Sequence, residues 1–304
     1  MSSDIKNILL VILRFLPGGI FIFSGLSKLY PIEPFELLFV DAGISSWKLA
    51  PFISRIIVSA EIFIGLLLIF NIKLKTFTLK AAFLMLIMFT AYLIYSLIRD
   101  GNASCGCFGS MIELTPIESL IKNIVLFGIL FLLMKINPDR VQKNKWRIKW
   151  ILPLILLVSC GLPFILNPVQ LSVADNSFDK EFPYQVNFDM KGIDLSKGEK
   201  ILAFMLINCP HCKNAANKLA IADKKYDLPE IFFVFLGGNE EDIAAFMAKS
   251  KSGFPYILYN DKKFFEITGG VFPTILYMKK NYVYKRWTGK TLTYSEMEKF
   301  SDLN

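Results

Sequence analysis

Five separate apolar stretches, each near the length that crosses a bilayer, constrain this chain more than any other feature. A hydrocarbon layer of about 30 Å takes about 20 apolar residues as a helix. The segments 5–23, 52–72, 77–98, 117–136 and 151–166 reach or approach that length. The first is interrupted only by Arg14 and Pro17-Gly18-Gly19, the second contains Glu61, and the last has Pro153 and Pro163 near its ends. No small-residue cleavage site follows the first stretch and further spans do, so it reads as a span and not a secretion signal.

The loops orient these spans. Lys73 and Lys75 lie between the second and third, and Lys135, Arg140, Lys143, Lys145, Arg147 and Lys149 lie between the fourth and fifth. The other two loops mix signs: Lys28, Glu33, Glu36, Asp41 and Lys48 in one, Arg99, Asp100, Glu113 and Glu118 in the other. Basic loops stay in the cytoplasm, so the N-terminus is expected inside and everything after the fifth span outside. The loop holding Cys105 and Cys107 falls on that same outer side. The formal net charge of +8 therefore belongs to topology; no stripe of aromatic and basic residues suggests nucleic acid.

Beyond about Lys200 the long runs give way to short apolar segments separated by charge. Residues 201–207 read as a buried strand, followed by Cys209-Pro210-His211-Cys212 and a helix over 213–225. Residues 231–236 read as a second strand, and Asn239 caps a helix to about Lys249 with Glu240, Glu241 and Asp242 in its first turn, where the dipole favours acids. Residues 274–278 and 282–287 read as a hairpin, and Thr293 or Ser295 starts a last short helix. The fold class is thus a membrane helical bundle, four spans plus a fifth linking span, followed by an α/β domain. The expected boundaries are 1–136 for the four-helix domain, 137–170 for a basic cytoplasmic loop and fifth helix, and 171–304 for the outer domain.

Five cysteines are too few for a disulfide scaffold, yet four form close pairs. Cys209 and Cys212 are spaced to close a disulfide at a helix start, where unpaired amides and the dipole favour the thiolate that attacks in exchange. His211, the only histidine, would favour thiolate further. A half zinc site is the competing reading, but this domain offers no second Cys/His pair. Cys105-Gly106-Cys107 would close a small strained ring, and strained disulfides are readily reduced; a metal-binding pair or two independent thiols are the alternatives. Glu61 is a functional suspect by its place in a span, or else a hydrogen-bonding partner of Arg14, Ser24 or Lys28. Cys160, in Leu157-Val-Ser-Cys-Gly, reads as a buried span cysteine, with a lipoprotein processing box as the alternative.

Strand, Cys209-x-x-Cys212, helix and then Gly270-Val271-Phe272-Pro273-Thr274 together resemble the thioredoxin superfamily. The resemblance implies that Pro273 is a cis-proline facing the cysteine pair, keeping metal away and presenting Phe272 backbone to a substrate strand. Cys-Pro-His-Cys itself resembles the motif of the periplasmic disulfide-forming members. Asn208 stands where thioredoxin has tryptophan, and Ala203 where it has a buried acid, so Lys200 or a water would have to serve the proton relay. In the membrane half, the segment 14–29 (Arg-Phe-Leu-Pro-Gly-Gly through Ser-Lys-Leu), Glu61-Ile-Phe-Ile-Gly-Leu and the Cys-Gly-Cys-Phe-Gly loop resemble the DoxX/MauE family of four-span proteins, whose MauE-like members are associated with disulfide handling in exported proteins. The fusion is similar in logic to the vitamin K epoxide reductase-like oxidases.

The resemblances imply a thiol–disulfide oxidoreductase of the bacterial inner membrane with its thioredoxin-like domain in the periplasm. Exported client proteins would exchange with Cys209, the attacking thiol, and Cys212, the resolving one. Cys105 and Cys107 would relay electrons to or from a membrane carrier, a quinone being the candidate. His211 favours oxidation of clients, whereas a membrane half with one cysteine pair favours reduction. A non-catalytic assembly factor and a carrier with a redox sensor are the rival classes.

Overall fold

A computed structural model describes residues 3–100, 115–136, 145–169, 182–185 and 192–303. The chain divides into two compact units, one of residues 1–38 and 50–169, the other of residues 39–49 and 170–304.

The first unit is helical: α1 (Ser3–Ser27), α2 (Glu33–Asp41, whose last residues belong to the second unit), α3 (Ala50–Ile69), α4 (Leu79–Asp100), α5 (Pro116–Ile136) and α6 (Lys145–Leu166). All but α2 belong to stretches long and apolar enough to cross a membrane: Ile8–Ser27, Ala50–Ile69, Leu74–Arg99 (a π-helical turn, Leu74–Thr78, running into α4), Ile117–Ile136 and Lys149–Leu166. Their outer faces carry large exposed apolar side chains, among them Leu84, Ile87, Ile98, Ile124, Leu157 and Ile165, a surface suited to lipid and not to water. The chain is a multi-pass membrane protein.

Small residues set the packing of α1 on α3. A methyl group on Gly65 would lie 2.7 Å from the Gly18 carbonyl, and one on Gly25 2.9 Å from the Ile62 side chain. Glycine at such crossings lets backbones approach closely, a principal source of helix association in lipid. Pro17-Gly18-Gly19 interrupts the apolar run but not the span; α1 continues through it. Leu68, Leu79, Leu86, Leu126 and Leu130 fill the space between α3, α4 and α5. Ile155 of α6 packs with Leu67 and Ile72. The loop after α1 contains α2, too short for a span and unforeseen in the sequence.

Two buried ion pairs tie this unit together. Lys28 Nζ lies 2.9 Å from both Glu61 oxygens and donates to Ser24 Oγ at 2.7 Å, and Ser24 Oγ donates to Glu61 at 2.8 Å. Glu61 is thus paired with two of the partners expected of it, Ser24 and Lys28; Arg14 instead donates to the Leu10 carbonyl. Arg55 meets Glu36 at 2.5 Å and donates to the Asn167 carbonyl at 2.8 Å, joining α2, α3 and the end of α6.

The second unit is built on a six-stranded mixed sheet, β1 (Tyr184–Gln185), β2 (Glu199–Met205), β3 (Glu230–Phe235), β4 (Tyr256–Leu258), β5 (Thr274–Lys279) and β6 (Tyr282–Thr288), in the order β1-β6-β5-β2-β3-β4. β2, β3 and β4 run parallel, and β5 and β6 are antiparallel to their neighbours. Helices α7 (Pro210–Tyr226), α8 (Glu240–Ser250), α9 (Lys263–Thr268) and α10 (Tyr294–Glu298) complete it. Apolar residues on both faces make β2 a central strand: Ile201 through Met205 are all fully buried. The Asn239 carboxamide accepts from Asp242 N at 2.7 Å, the cap its sequence position foretold. Lys280 and Asn281, both at positive φ, make the two-residue turn of the β5–β6 hairpin. The architecture is thioredoxin-like.

Candidate active site

β2 delivers the chain into Leu206-Ile-Asn and then Cys209, which caps α7 in an extended conformation. Proline at the first helical position costs no hydrogen bond, because that N–H has no intrahelical acceptor. Cys209 Sγ, partly exposed, accepts from the Cys212 N–H at 3.3 Å. One turn on, Cys212 lies fully buried and its Sγ accepts from Leu206 N–H at 3.5 Å. Both thiols are free. Burial, and then the hydrogen bond and charge of Cys209, push the Cys212 thiol well above its ordinary value. One sulfur faces solvent at a helix N-terminus; the other is held protonated beneath it.

A second loop leads into β5, the antiparallel neighbour of β2. α9 ends at Gly269 and Gly270, both at positive φ, a conformation that favours glycine. The chain then turns through Val271, and Thr274 Oγ1 donates back to the Val271 carbonyl at 2.8 Å. Phe272 stacks on Phe264 with ring centroids 5.6 Å apart, and Phe264 is itself fully buried against Phe204 of β2. The bond that follows, Phe272–Pro273, is cis.

Gly289, just past β6, joins the two loops. A methyl group there would stand 3.0 Å from Pro273 Cδ and 3.7 Å from His211 Cβ. His211 and Pro273, 62 residues apart in sequence, therefore flank one exposed glycine. For Gly289 the available signal in the sequence is a glycine after the β-branched strand end Thr288. No comparable signal marked Phe264, whose role rests on long-range packing.

Other expected participants fall elsewhere. Lys200 sits at the opposite end of β2 from Cys209 and bonds Glu230 at 3.0 Å and the Lys197 carbonyl at 3.1 Å, so it does not serve a relay at Cys212. Ala203 is fully buried between Phe233 and Ile275 in the sheet. Cys105 and Cys107 lie outside the described residues. Cys160 lies on α6 but is exposed, not buried. The turn that buries Ile155 and Ser159 rotates the next residue about 100° away.

Residues 6–136 match the family model described as Methylamine utilisation protein MauE. The chain is 26% identical to Protein TlpB of Flavobacterium psychrophilum, over 92% of this chain and 91% of that one. Among solved structures, it is similar to a secreted Mycobacterium tuberculosis disulfide oxidoreductase, with 12% identity and a TM-score of 0.32 over 36% of this chain and 84% of the other. It is also similar to the thioredoxin domain of a Bacteroides vulgatus thiol-disulfide oxidoreductase, with 22% identity and a TM-score of 0.30 over 43% of this chain and 99% of the other. The membrane unit is thus similar to MauE, and the second unit has a thioredoxin-like fold in which Cys209 and Cys212 lie at the start of α7.

Proposed function

We propose that this protein exchanges disulfides with exported client proteins through Cys209 and Cys212. The observation that carries this reading is the asymmetry of the pair, a partly exposed sulfur at the α7 N-terminus over a buried, protonated one. In the oxidising direction a client thiolate attacks Cys209 of the disulfide, and Cys212 leaves and takes up a proton. A second client thiol then displaces Cys209. The client loses two electrons and two protons, and the pair gains them. Reduction of clients runs the same steps backwards with Cys209 attacking. The imidazole of His211 between the two cysteines supports the oxidising direction.

The pair is in turn served by Cys105 and Cys107, which pass two electrons to a membrane carrier of the quinone class. No residue is assigned to hold that carrier: among the described residues, the buried polar groups Lys28, Glu61 and Ser24 bond one another. The basic loops support a location in the inner membrane with both cysteine pairs on the periplasmic side.

A trapping experiment in membranes tests the scheme. Cys212→Ala is expected to leave a mixed disulfide between Cys209 and one loop cysteine on non-reducing gels. That adduct should vanish when either Cys105→Ala or Cys107→Ala removes the exchanging partner. Trapping of other proteins alone would refute the relay, and absence of any Cys209 adduct would refute the exchange itself.

A further inference from the structure

The second unit is discontinuous in sequence, taking in residues 39–49 along with the C-terminal part. Within it Trp47 is fully buried, its ring 6.2 Å from that of Tyr294 at the start of α10. Its neighbour Lys48 places Nζ 2.6 Å from Glu298 of α10, and Asp41 lies 3.8 Å from Lys224 of α7. Exposed ion pairs of this kind contribute little, whereas a buried indole removes on the order of 200 Å² from water. Trp47 is the anchor, and the charges fix its register.

The elements it grips also build the active site. Lys218, buried on α7 six residues beyond Cys212, sets its Nζ 5.0 Å from the Tyr294 ring and donates to the Leu292 carbonyl at 3.0 Å. Leu292 N–H donates to the Thr288 carbonyl at 2.9 Å, and Thr288 N–H donates to Thr291 Oγ1 at 2.8 Å. These bonds close the turn whose Gly289 lies against Pro273 and His211. A continuous set of packed and hydrogen-bonded groups thus runs from Trp47 through Tyr294, Lys218 and Leu292 to the walls of the cysteine site.

We propose that residues 39–49 are a built-in strap of the thioredoxin-like unit, and that Trp47 is a positioning residue for the Cys209–Cys212 pair, acting through Tyr294, Lys218 and the 288–293 turn. The proposal rests on the oxidoreductase reading. It makes the C-terminal segment alone an incomplete unit, because one of its core side chains is supplied from between α2 and α3.

The test uses the full-length protein in detergent micelles. Alkylation of Cys209 is followed by peptide mass spectrometry across pH, beside the rate of Cys209-dependent exchange with glutathione disulfide. Trp47→Ala is expected to displace the alkylation pH profile and slow exchange roughly tenfold, the order of coupling carried by such networks. Trp47→Phe, which keeps an aromatic anchor, should restore both. Lys218→Met should reproduce the displaced profile, and adding it to Trp47→Ala should shift it no further. A folded Trp47→Ala protein with the wild-type profile and rate would overturn the proposal. If that variant does not fold, Lys218→Met decides: a displaced profile supports the strap and an unchanged one overturns it. Exchange that survives Cys209→Ser in the otherwise unaltered protein would instead refute the oxidoreductase reading.

Discussion

Replacing Glu61 by glutamine tests whether the membrane unit is organised around a buried charge pair. Lys28 and Glu61 are each about 1% exposed, and the ammonium lies 2.9 Å from both carboxylate oxygens. With the carboxylate gone, Lys28 keeps the Ser24 hydroxyl and carbonyl and the rings of Phe35 and Phe89, at 5.5 and 5.1 Å. Breaking one side of a buried pair costs about 3–5 kcal/mol. Desolvated cation–π contacts are worth about 2 kcal/mol, which holds the loss near the lower figure. At about 2–4 °C per kcal/mol for a unit of this size, Glu61→Gln should melt on the order of 10 °C below wild type in detergent micelles. Lys28→Met combined with Glu61→Met removes both charges together and should come back to within about 1 kcal/mol of wild type, because well-packed apolar replacements of buried pairs are near neutral. The reasoning fails if Glu61→Gln melts with wild type, or if the double variant melts below both single ones. A double variant that melts normally but has lost Cys209-dependent turnover would assign the pair a part in electron transfer as well.

Three further outcomes are expected in the thioredoxin-like unit. Because burial raises the Cys212 thiol, its contribution to stability is complete below the ordinary thiol range and is lost as pH rises from about 8.5 toward the folded value. Reduced protein should therefore lose melting temperature between pH 8 and 10 relative to oxidised protein, which calorimetry of the two forms would show. Gly289→Val would push a methyl group toward Pro273 Cδ, 3.0 Å from the first added carbon; exchange with glutathione disulfide should slow several-fold while the melting temperature holds. Asn239→Ala removes the α8 cap and should cost about 1 kcal/mol, visible in thermal unfolding with exchange rates unchanged.

The parts of the fold that were legible in the sequence are those whose signals are local. Long apolar runs announced the five spans, and alternation of strand, Cys-x-x-Cys and helix announced β2 and α7. Asn239 and the hairpin around Lys279-Lys280-Asn281 were readable because caps and tight turns are properties of a few adjacent residues. Short elements that depend on distant partners were not. α2, β4 and α9 are nine, three and six residues long, and they owe their shape to what they pack on. Pro17-Gly18-Gly19 interrupts the apolar run without breaking the span, because in lipid the gain from bringing α1 against α3 outweighs a propensity that matters in water.

The same division runs through the candidate site. Cys209, Cys212, His211 and Pro273 stood out because each belongs to a recognisable string, but the strings do not reveal how the site manages its proton. Thiol–disulfide exchange requires Cys212 to pass between thiol and thiolate in either direction, and its burial resists the thiolate. The strand beneath supplies Ala203 where an acid would otherwise stand, and Lys200 is held by Glu230 at the strand's far end. The groups that do touch Cys212 are the Leu206 N–H, which donates to its sulfur, and Cys209, whose sulfur accepts from the Cys212 backbone and whose hydrogen bond and charge, after burial, raise the thiol. Under the proposed exchange, a client bonded to Cys209 takes away that sulfur's hydrogen bond and charge and leaves burial, the larger cause, in place. Resolution by Cys212 would then be easier in the mixed disulfide than in the free dithiol, which ties it to the presence of a client.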